Sequence, residues 1–232
     1  NPPYNSDFLH KNIMRFEIAE RDAWWSIFIH RQYGIHGAVD RLVDWAWSAE
    51  DKSHIADDSI RLCGISLAWF LTTSNRFLRD RTTKALVSLL TNRTSVLKLI
   101  IQEFLQVNDP YVLERLFAVA YGCSMRSTDN DAIAELAKGV YEWIFKKGKP
   151  PPHILLRDYA RGVIEVAINR GMKLDIDQKK IRPPYGSEWP SFDIPTIEEL
   201  KKYGEWQTDM SDGERARFRL YYSVMDSGDF AR

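Results

Sequence analysis

The sequence has few of the residues that build metal sites and disulfide frameworks, with 2 cysteines and 5 histidines among 232 residues. Cys63 and Cys123 lie in apolar stretches and lack the short spacing of metal ligands, so we expect buried thiols in a reducing compartment. His30 and His36 are close in sequence, but no carboxylate or cysteine at ligand spacing accompanies them. The sequence therefore predicts neither a metal nor a cofactor.

Net charge and long apolar runs are also absent. Lysine plus arginine total 32 and aspartate plus glutamate total 32, so we expect no long-range attraction for nucleic acid or an anionic membrane. The most apolar stretch, around 65–71, is far shorter than the roughly 20 residues that cross a bilayer, and no signal-peptide pattern opens the chain. These absences favour a cytoplasmic location. Because the sequence starts at Asn1 rather than methionine, we also expect a fragment of a larger protein.

Signatures of common enzymes are missing as well. The sequence contains neither a glycine-rich phosphate loop followed by lysine and serine or threonine nor a nucleophile elbow. The closest carboxylate pairs are Asp57 with Asp58, Asp129 with Asp131, and Asp175 with Asp177. The first two pairs are expected at helix beginnings, where negative charge is favoured by the helix dipole. No catalytic residue is therefore predicted.

Helical periodicity dominates from Glu17 to about Arg170, whereas alternating strand patterns are hard to find. Capping residues, glycine and proline divide this region into amphipathic segments. The strongest boundary is Asp109-Pro110, a capping aspartate followed by proline at the first helical position. The predicted helices span residues 17–33, 36–49, 57–72, 76–91, 93–107, 110–124, 130–147 and 153–170.

A local pattern recurs in every second predicted helix. Four arginines near the helix starts, Arg41, Arg79, Arg115 and Arg157, follow one another at spacings of 38, 36 and 42 residues, by subtraction. Spacings of this size fall near those of HEAT and armadillo repeats, in which each helix pair buries its apolar face against its neighbours. The sequence therefore predicts an all-α, HEAT/armadillo-like α-solenoid of antiparallel helix pairs over residues 1–174. A non-repetitive helical bundle is the alternative.

The character of the sequence changes after residue 174. The stretch 182–190 contains three prolines and two aromatic residues and is incompatible with a helix. Short helices are predicted at 196–203, with Thr196 as its cap, and at 214–225. Trp189, Phe192 and Trp206 favour packing against other apolar side chains. We therefore expect residues 175–232 to form an irregular strap, rich in proline and aromatic residues, that packs on the array within the same domain.

Lysine and tryptophan supply the candidate contact residues. The densest basic cluster is Lys146, Lys147 and Lys149, joined across the triple-proline bend by Arg157 and Arg161. This cluster is the candidate interaction surface because such a patch can contact phosphate groups. Lysines at a helix C-terminus also complement the helix dipole, so a structural role stays open.

Adjacent tryptophans raise a second question about exposure. Trp24 and Trp25 cannot face the same direction on one helix. One of them is therefore expected either under the N-terminal segment or on a binding surface.

Several stretches resemble one protein family. They are residues 20–26, 67–76, 79–86 and 157–162, together with 183–190 of the strap and 228–231. These stretches are similar to the HEAT-like helical-repeat region that follows the ATPase core in large bacterial NACHT-like STAND NTPases, including antiviral defence proteins. The resemblance implies a sensor or scaffold that recognises a foreign protein and controls an ATPase located elsewhere in the polypeptide. It implies no nucleotide-site residue in this chain.

We therefore expect a non-catalytic scaffold or sensor segment that binds a protein partner. A nucleic-acid-binding helical array is one alternative, and it depends on the basic cluster. An enzyme of unrecognised type is the other, with His30, His36 and neighbouring carboxylates as its candidates.

Overall fold

The computed structural model describes residues 4–189, 191, 193 and 195–225. All regular secondary structure in these residues is helical, so the prediction of an all-α protein is confirmed. The helices are α1 (Ser6–Ile13), α2 (Ile18–Arg21), α3 (Ile27–Gln32), α4 (Ala38–Trp47), α5 (Asp57–Phe70), α6 (Arg76–Leu90), α7 (Thr94–Phe104), α8 (Pro110–Arg126), α9 (Asn130–Val140), α10 (Ile154–Asn169), α11 (Ile197–Lys201) and α12 (Asp212–Met225). Within the described ranges, none of them has both the length and the apolar character that a bilayer crossing needs.

Two π-helical turns lengthen the helices that the sequence predicts as single segments. Asp22–Ser26 joins α2 to α3, and Tyr141–Phe145 continues α9. We call the first of these continuous helices, from α2 through α3, the α2–α3 rod. A π turn inserts one extra residue per turn and is frequent at functional sites, and periodicity alone does not reveal it.

Side-chain caps explain several helix boundaries. Asp109 accepts hydrogen bonds from the N–H groups of Tyr111 and Val112 at 3.0 and 3.3 Å, which fixes the start of α8 as predicted. Thr196 and Glu199 form a reciprocal capping box at α11. Helix α1 was not predicted from the sequence, because its eight residues are too few for a periodic signal.

The helices of the first part of the chain contact one another in two series. One series runs α1, α5, α7, α9, and the other runs α4, α6, α8, α10, with each helix touching the next member of its own series. Helices that follow each other in the chain also touch, as α5 does with α6, α7 with α8 and α9 with α10. A single cluster of buried side chains, from Ile13 to Ile181, fills the space between the two series.

Glycine permits close approach within each series. A Cβ added to Gly64 of α5 would lie 2.4 Å from Cδ1 of Ile100 in α7. A Cβ added to Gly122 of α8 would lie 2.9 Å from Cγ2 of Val87 in α6. The two series are therefore packed so tightly at these points that the next larger residue needs a shift of its neighbour.

The chain divides into two compact units, Asn1–Glu188 and Trp189–Arg232. The first part of the strap belongs to the first unit, because Ile181 is fully buried there and Tyr185 packs against its core. The unit boundary thus lies after the change in composition at residue 174. The second unit contains α11, α12 and a cluster of three aromatic rings. The centroid of the Phe218 ring lies 5.2 Å from that of Trp206 and 4.7 Å from that of Tyr222. Phe192 lies outside the described residues.

Candidate functional site

The α2–α3 rod lies on the surface and is attached along one narrow face. Arg21 and Ile29 are fully buried, and Trp25 is nearly so. The indole N–H of Trp25 donates to the carbonyl oxygen of Trp69 at 3.1 Å, and the Ser26 hydroxyl donates to the carbonyl oxygen of Thr72 at 3.1 Å. The rod is therefore fixed to the C-terminal end of α5.

A buried ion pair ties the same rod to α8. Nη2 of Arg21 lies 2.9 Å from Oδ2 of Asp109, and neither side chain is appreciably exposed. Nη1 of Arg21 donates to Oδ1 of Asn108 at 2.8 Å, and the guanidinium lies 5.5 Å from the centroid of the Trp69 ring. Because Asp109 also caps α8, the rod and the start of α8 form one rigid arrangement.

A groove of about 530 Å³ opens between the rod, the α5–α6 turn and the start of α8. Its principal side chains are Ile18, Asp22, Ile27, His30, Arg79 and Tyr111. Because three separate parts of the chain supply its walls, and hydrogen bonds join those parts, the groove is held in shape without a ligand.

Tyr111 at the start of α8 and Arg79 of α6 form an aromatic and cationic part of the groove lining. The ring of Tyr111 lies between two arginines, with its centroid 4.9 Å from the guanidinium carbon of Arg79 and 5.5 Å from that of Arg115. Arg79 also donates to the carbonyl oxygen of Thr73 at 2.7 Å. Both arginines belong to the repeated set found in the sequence, so that spacing brings successive copies onto one ring.

Asp22 of the rod supplies a carboxylate to the groove lining. Asp22 is exposed at the edge of the groove. Its neighbours nevertheless remove part of the water around its carboxyl, which raises the pKa of that group, and the charge of Asp109 raises the pKa further. The charge of Arg21 lowers it, but the guanidinium of Arg21 points to Asp109. The groove thus holds a carboxylate in a setting that disfavours its charged form.

Beside the groove, the rod exposes large apolar side chains. Trp24, Ile27 and Phe28 are 42%, 45% and 49% exposed. Trp24 packs edge-on against Phe16 at a centroid distance of 5.2 Å, so the N-terminal segment covers it in part. Trp25 is the buried member of the tryptophan pair and Trp24 is the exposed one, and the two rings meet edge to face at a centroid distance of 6.0 Å. Large exposed apolar side chains close together on one helix are typical of an interaction site.

In the structure, three residues of the basic cluster predicted from the sequence make ion pairs with carboxylates. Nζ of Lys146 lies 2.6 Å from Oε2 of Glu142, and Lys149 pairs with Glu188 of the strap. Arg157 donates to the Ser187 hydroxyl at 3.1 Å and lies over the Tyr185 ring, whereas Arg161 pairs with Asp158 and Glu165. Lys147 is exposed. Three of the five candidates therefore pair with carboxylates, and two of the five, Lys149 and Arg157, contact residues 185–188.

The weaker chemical candidates are dispersed. His30 lines the groove, whereas His36 lies in the turn before α4, where its carbonyl oxygen accepts a hydrogen bond from Arg41. Asp57 and Asp58 pair with Arg93 and Arg61 at the start of α5. Within the residues that the structure describes, no three histidine, cysteine or acidic side chains cluster as metal ligands would.

Both cysteines are free thiols. Cys123 is buried, and its burial raises the pKa of the thiol to about 12, while Cys63 is half-buried with its pKa raised for the same reason. Neither thiol is therefore activated as a nucleophile.

Sequence reasoning identified the tryptophan pair and the arginine spacing but not the groove. Asp22, Arg79 and Tyr111 come from three distant stretches, and only the fold brings them together. No protein-family model, curated protein or solved structure matches the chain.

Proposed function

We propose that the chain is a stack of antiparallel helix pairs that recognises a protein partner. Support for the stack comes from the two contact series, in which each helix touches the next member of its own series. Tight contacts and ion pairs join residues one repeat apart, such as Asp44 to Arg81, Asp80 to Arg115 and Lys98 to Glu135. An array of this kind presents a long surface without a deep catalytic pocket.

The observation that carries protein recognition is the exposed apolar surface on a rigidly held helix. Trp24, Ile27 and Phe28 lie next to a preformed groove, and aromatic side chains in such settings contribute most to protein interfaces. Buried hydrogen bonds from Arg21 and Trp25 hold the rod in place, so a partner segment meets a surface that needs little ordering.

We further propose that this scaffold is the sensor or scaffold region of a larger bacterial NACHT-like STAND ATPase, of the kind that includes antiviral defence proteins. The resembling stretches 20–26 and 79–86 contribute Asp22 and Arg79 to the groove. The gene that contains this sequence is expected to encode a Walker-type phosphate loop upstream of it. A complete reading frame without such a loop would contradict the ATPase connection.

A selection of random peptides displayed on phage tests the recognition proposal. Peptides enriched on the 232-residue chain are expected to lose at least about tenfold in affinity for the Ile27→Glu variant, because the new charge lies in the apolar part of the groove. The matched control is Leu99→Glu, which places the same charge at an equally exposed apolar residue of α7. Binding that survives both changes, or the absence of any enriched peptide, would overturn the proposal.

A further inference from the structure

The charge distribution of the groove specifies the chemistry of its partner. We infer that the groove binds a protein segment in which a lysine or arginine neighbours an aliphatic or aromatic side chain, with the cation against Asp22. The inference rests on the proposed protein-recognition function and assigns to it the class of segment that is recognised.

Asp22 is the carboxylate that the rod contributes to the groove. Within the described ranges, its carboxylate makes no ion pair and no side-chain hydrogen bond. The adjacent cation, Arg21, is fully buried and is bound to Asp109 and Asn108. Asp22 is therefore a carboxylate at the rim of a rigid groove, and the adjacent cation makes its ion pair with Asp109 rather than with Asp22.

The groove lining also contains a cation, Arg79. Arg79 is half-buried, donates to the carbonyl oxygen of Thr73 and lies over Tyr111. Within the described residues, no ion pair or hydrogen bond joins Arg79 to Asp22. A cation of the partner would therefore give Asp22 the ion pair that it lacks.

The rod supplies apolar side chains to the groove as well as Asp22. Ile18, Asp22 and Ile27 line the same groove from the same rod. A lysine or arginine has an aliphatic stem that packs on isoleucine side chains while its charged end reaches a carboxylate. An apolar neighbour in the partner would cover Ile27, which is 45% exposed.

The surroundings of Asp22 disfavour an acidic side chain of a partner at the same position. Asp22 lies close enough to Asp109 for the two negative charges to interact. A glutamate or aspartate of a partner placed against Asp22 would add a further negative charge beside these two carboxylates. Repulsion of acidic segments thus adds to the attraction of basic ones.

The same displayed library provides the test when it is selected in parallel on the unmodified chain and on Asp22→Lys. Lysine and arginine are expected to be enriched on the unmodified chain, and aspartate and glutamate on Asp22→Lys. A synthetic copy of one basic peptide should bind Asp22→Asn and Asp22→Lys at least about tenfold more weakly. Because Asp22 is exposed, both variants should keep the thermal unfolding midpoint of the unmodified chain.

Glu20→Lys is the matched control, since it makes the same charge change on the same rod but outside the groove lining. Its effect on the basic peptide should be small if the contact with Asp22 is local. Peptides that depend on Ile27 but show no basic preference would overturn this inference and leave the recognition function intact. Loss of binding equally in Glu20→Lys and Asp22→Lys would overturn it too, and the absence of Ile27-dependent peptides would overturn both.

Discussion

The indole N–H of Trp69 donates a hydrogen bond of 3.1 Å to Nδ1 of His10 in the interior of the chain. The imidazole also lies against the Phe104 ring, with centroids 4.8 Å apart. A ring nitrogen that accepts this bond carries no proton, so the imidazole is neutral. Burial lowers the pKa of His10 accordingly, although the Glu103 backbone and the charge of Asp7 oppose the shift.

The free energy of unfolding is therefore expected to fall as the pH is lowered from the pKa of His10 in the unfolded chain to its lower pKa in the folded chain. Because the pKa of His10 is lower in the folded chain than in the unfolded one, the unfolded state takes up the proton first. The stabilisation is complete above the unfolded pKa and is lost as the pH falls through the folded pKa. Urea unfolding at about pH 7.5 and about pH 5.5 measures this effect above most carboxyl titrations.

His10→Gln is the control for this pH dependence. Glutamine offers Trp69 an acceptor oxygen but has no proton to gain, so the variant should lose less stability between the two pH values. An equal loss in both proteins would assign the effect to other groups.

The buried pair of Arg21 and Asp109 should stabilise the groove walls strongly once formed. Arg21→Ala leaves a buried carboxylate without its partner and is expected to lower the free energy of unfolding by about 3–5 kcal/mol. The double variant Arg21→Met with Asp109→Asn keeps the α8 cap and removes both charges, so it should be more stable than Arg21→Ala. Urea titration of all three proteins checks this, and a loss below about 1 kcal/mol for Arg21→Ala would contradict it.

The contact between Gly64 and Ile100 predicts an unusual pair of substitutions. Gly64→Ala adds a methyl group 2.4 Å from Cδ1 of a fully buried isoleucine. Overpacking of about 1–3 kcal/mol should outweigh the roughly 1 kcal/mol that alanine gains in a helix. Adding Ile100→Val removes Cδ1 and should restore stability to the Gly64→Ala chain. Thermal unfolding of the single and double variants measures both effects, and a stabilised Gly64→Ala chain would contradict the close packing.

The ion pairs within the basic cluster predict weak binding to polyanions. Lys146 and Lys149 each face a carboxylate, so few phosphate contacts remain for them. The chain should elute from heparin at or below about 0.1 M salt, and the triple change of Lys146, Lys147 and Lys149 to glutamate should alter this little. Retention at higher salt that the triple change abolishes would revive the nucleic-acid alternative.

Local signals predicted much of the secondary structure because they act within one helix. Asp109 followed by Pro110 marked the start of α8, and Thr196 marked α11. The π turn at Asp22–Ser26 was not predictable, since it shifts the register of a helix without changing its composition. The missed α1 is held by tertiary contacts such as that of His10 with Trp69.

The groove depended on longer-range information. The spacing of Arg79 and Arg115 suggested a repeat, but only the folded chain shows that both contact the Tyr111 ring. The pairing of Arg21 with Asp109 joins residues that no local pattern connects. Pairwise contacts of this type determine where a surface site forms, and periodicity carries no record of them.

Progressive stacking of helix pairs is tested most directly by distances between spin labels on one helix series. With Cys63→Ser and Cys123→Ala as background, labels replace Asp80 and Asp158 in one protein and Arg41 and Asp158 in another, all exposed positions. At roughly 10 Å per neighbouring helix, double electron–electron resonance should give about 20 Å from α6 to α10 and about 30 Å from α4 to α10. Equal distances for the two pairs, as in helices around one central core, would contradict the stacked array.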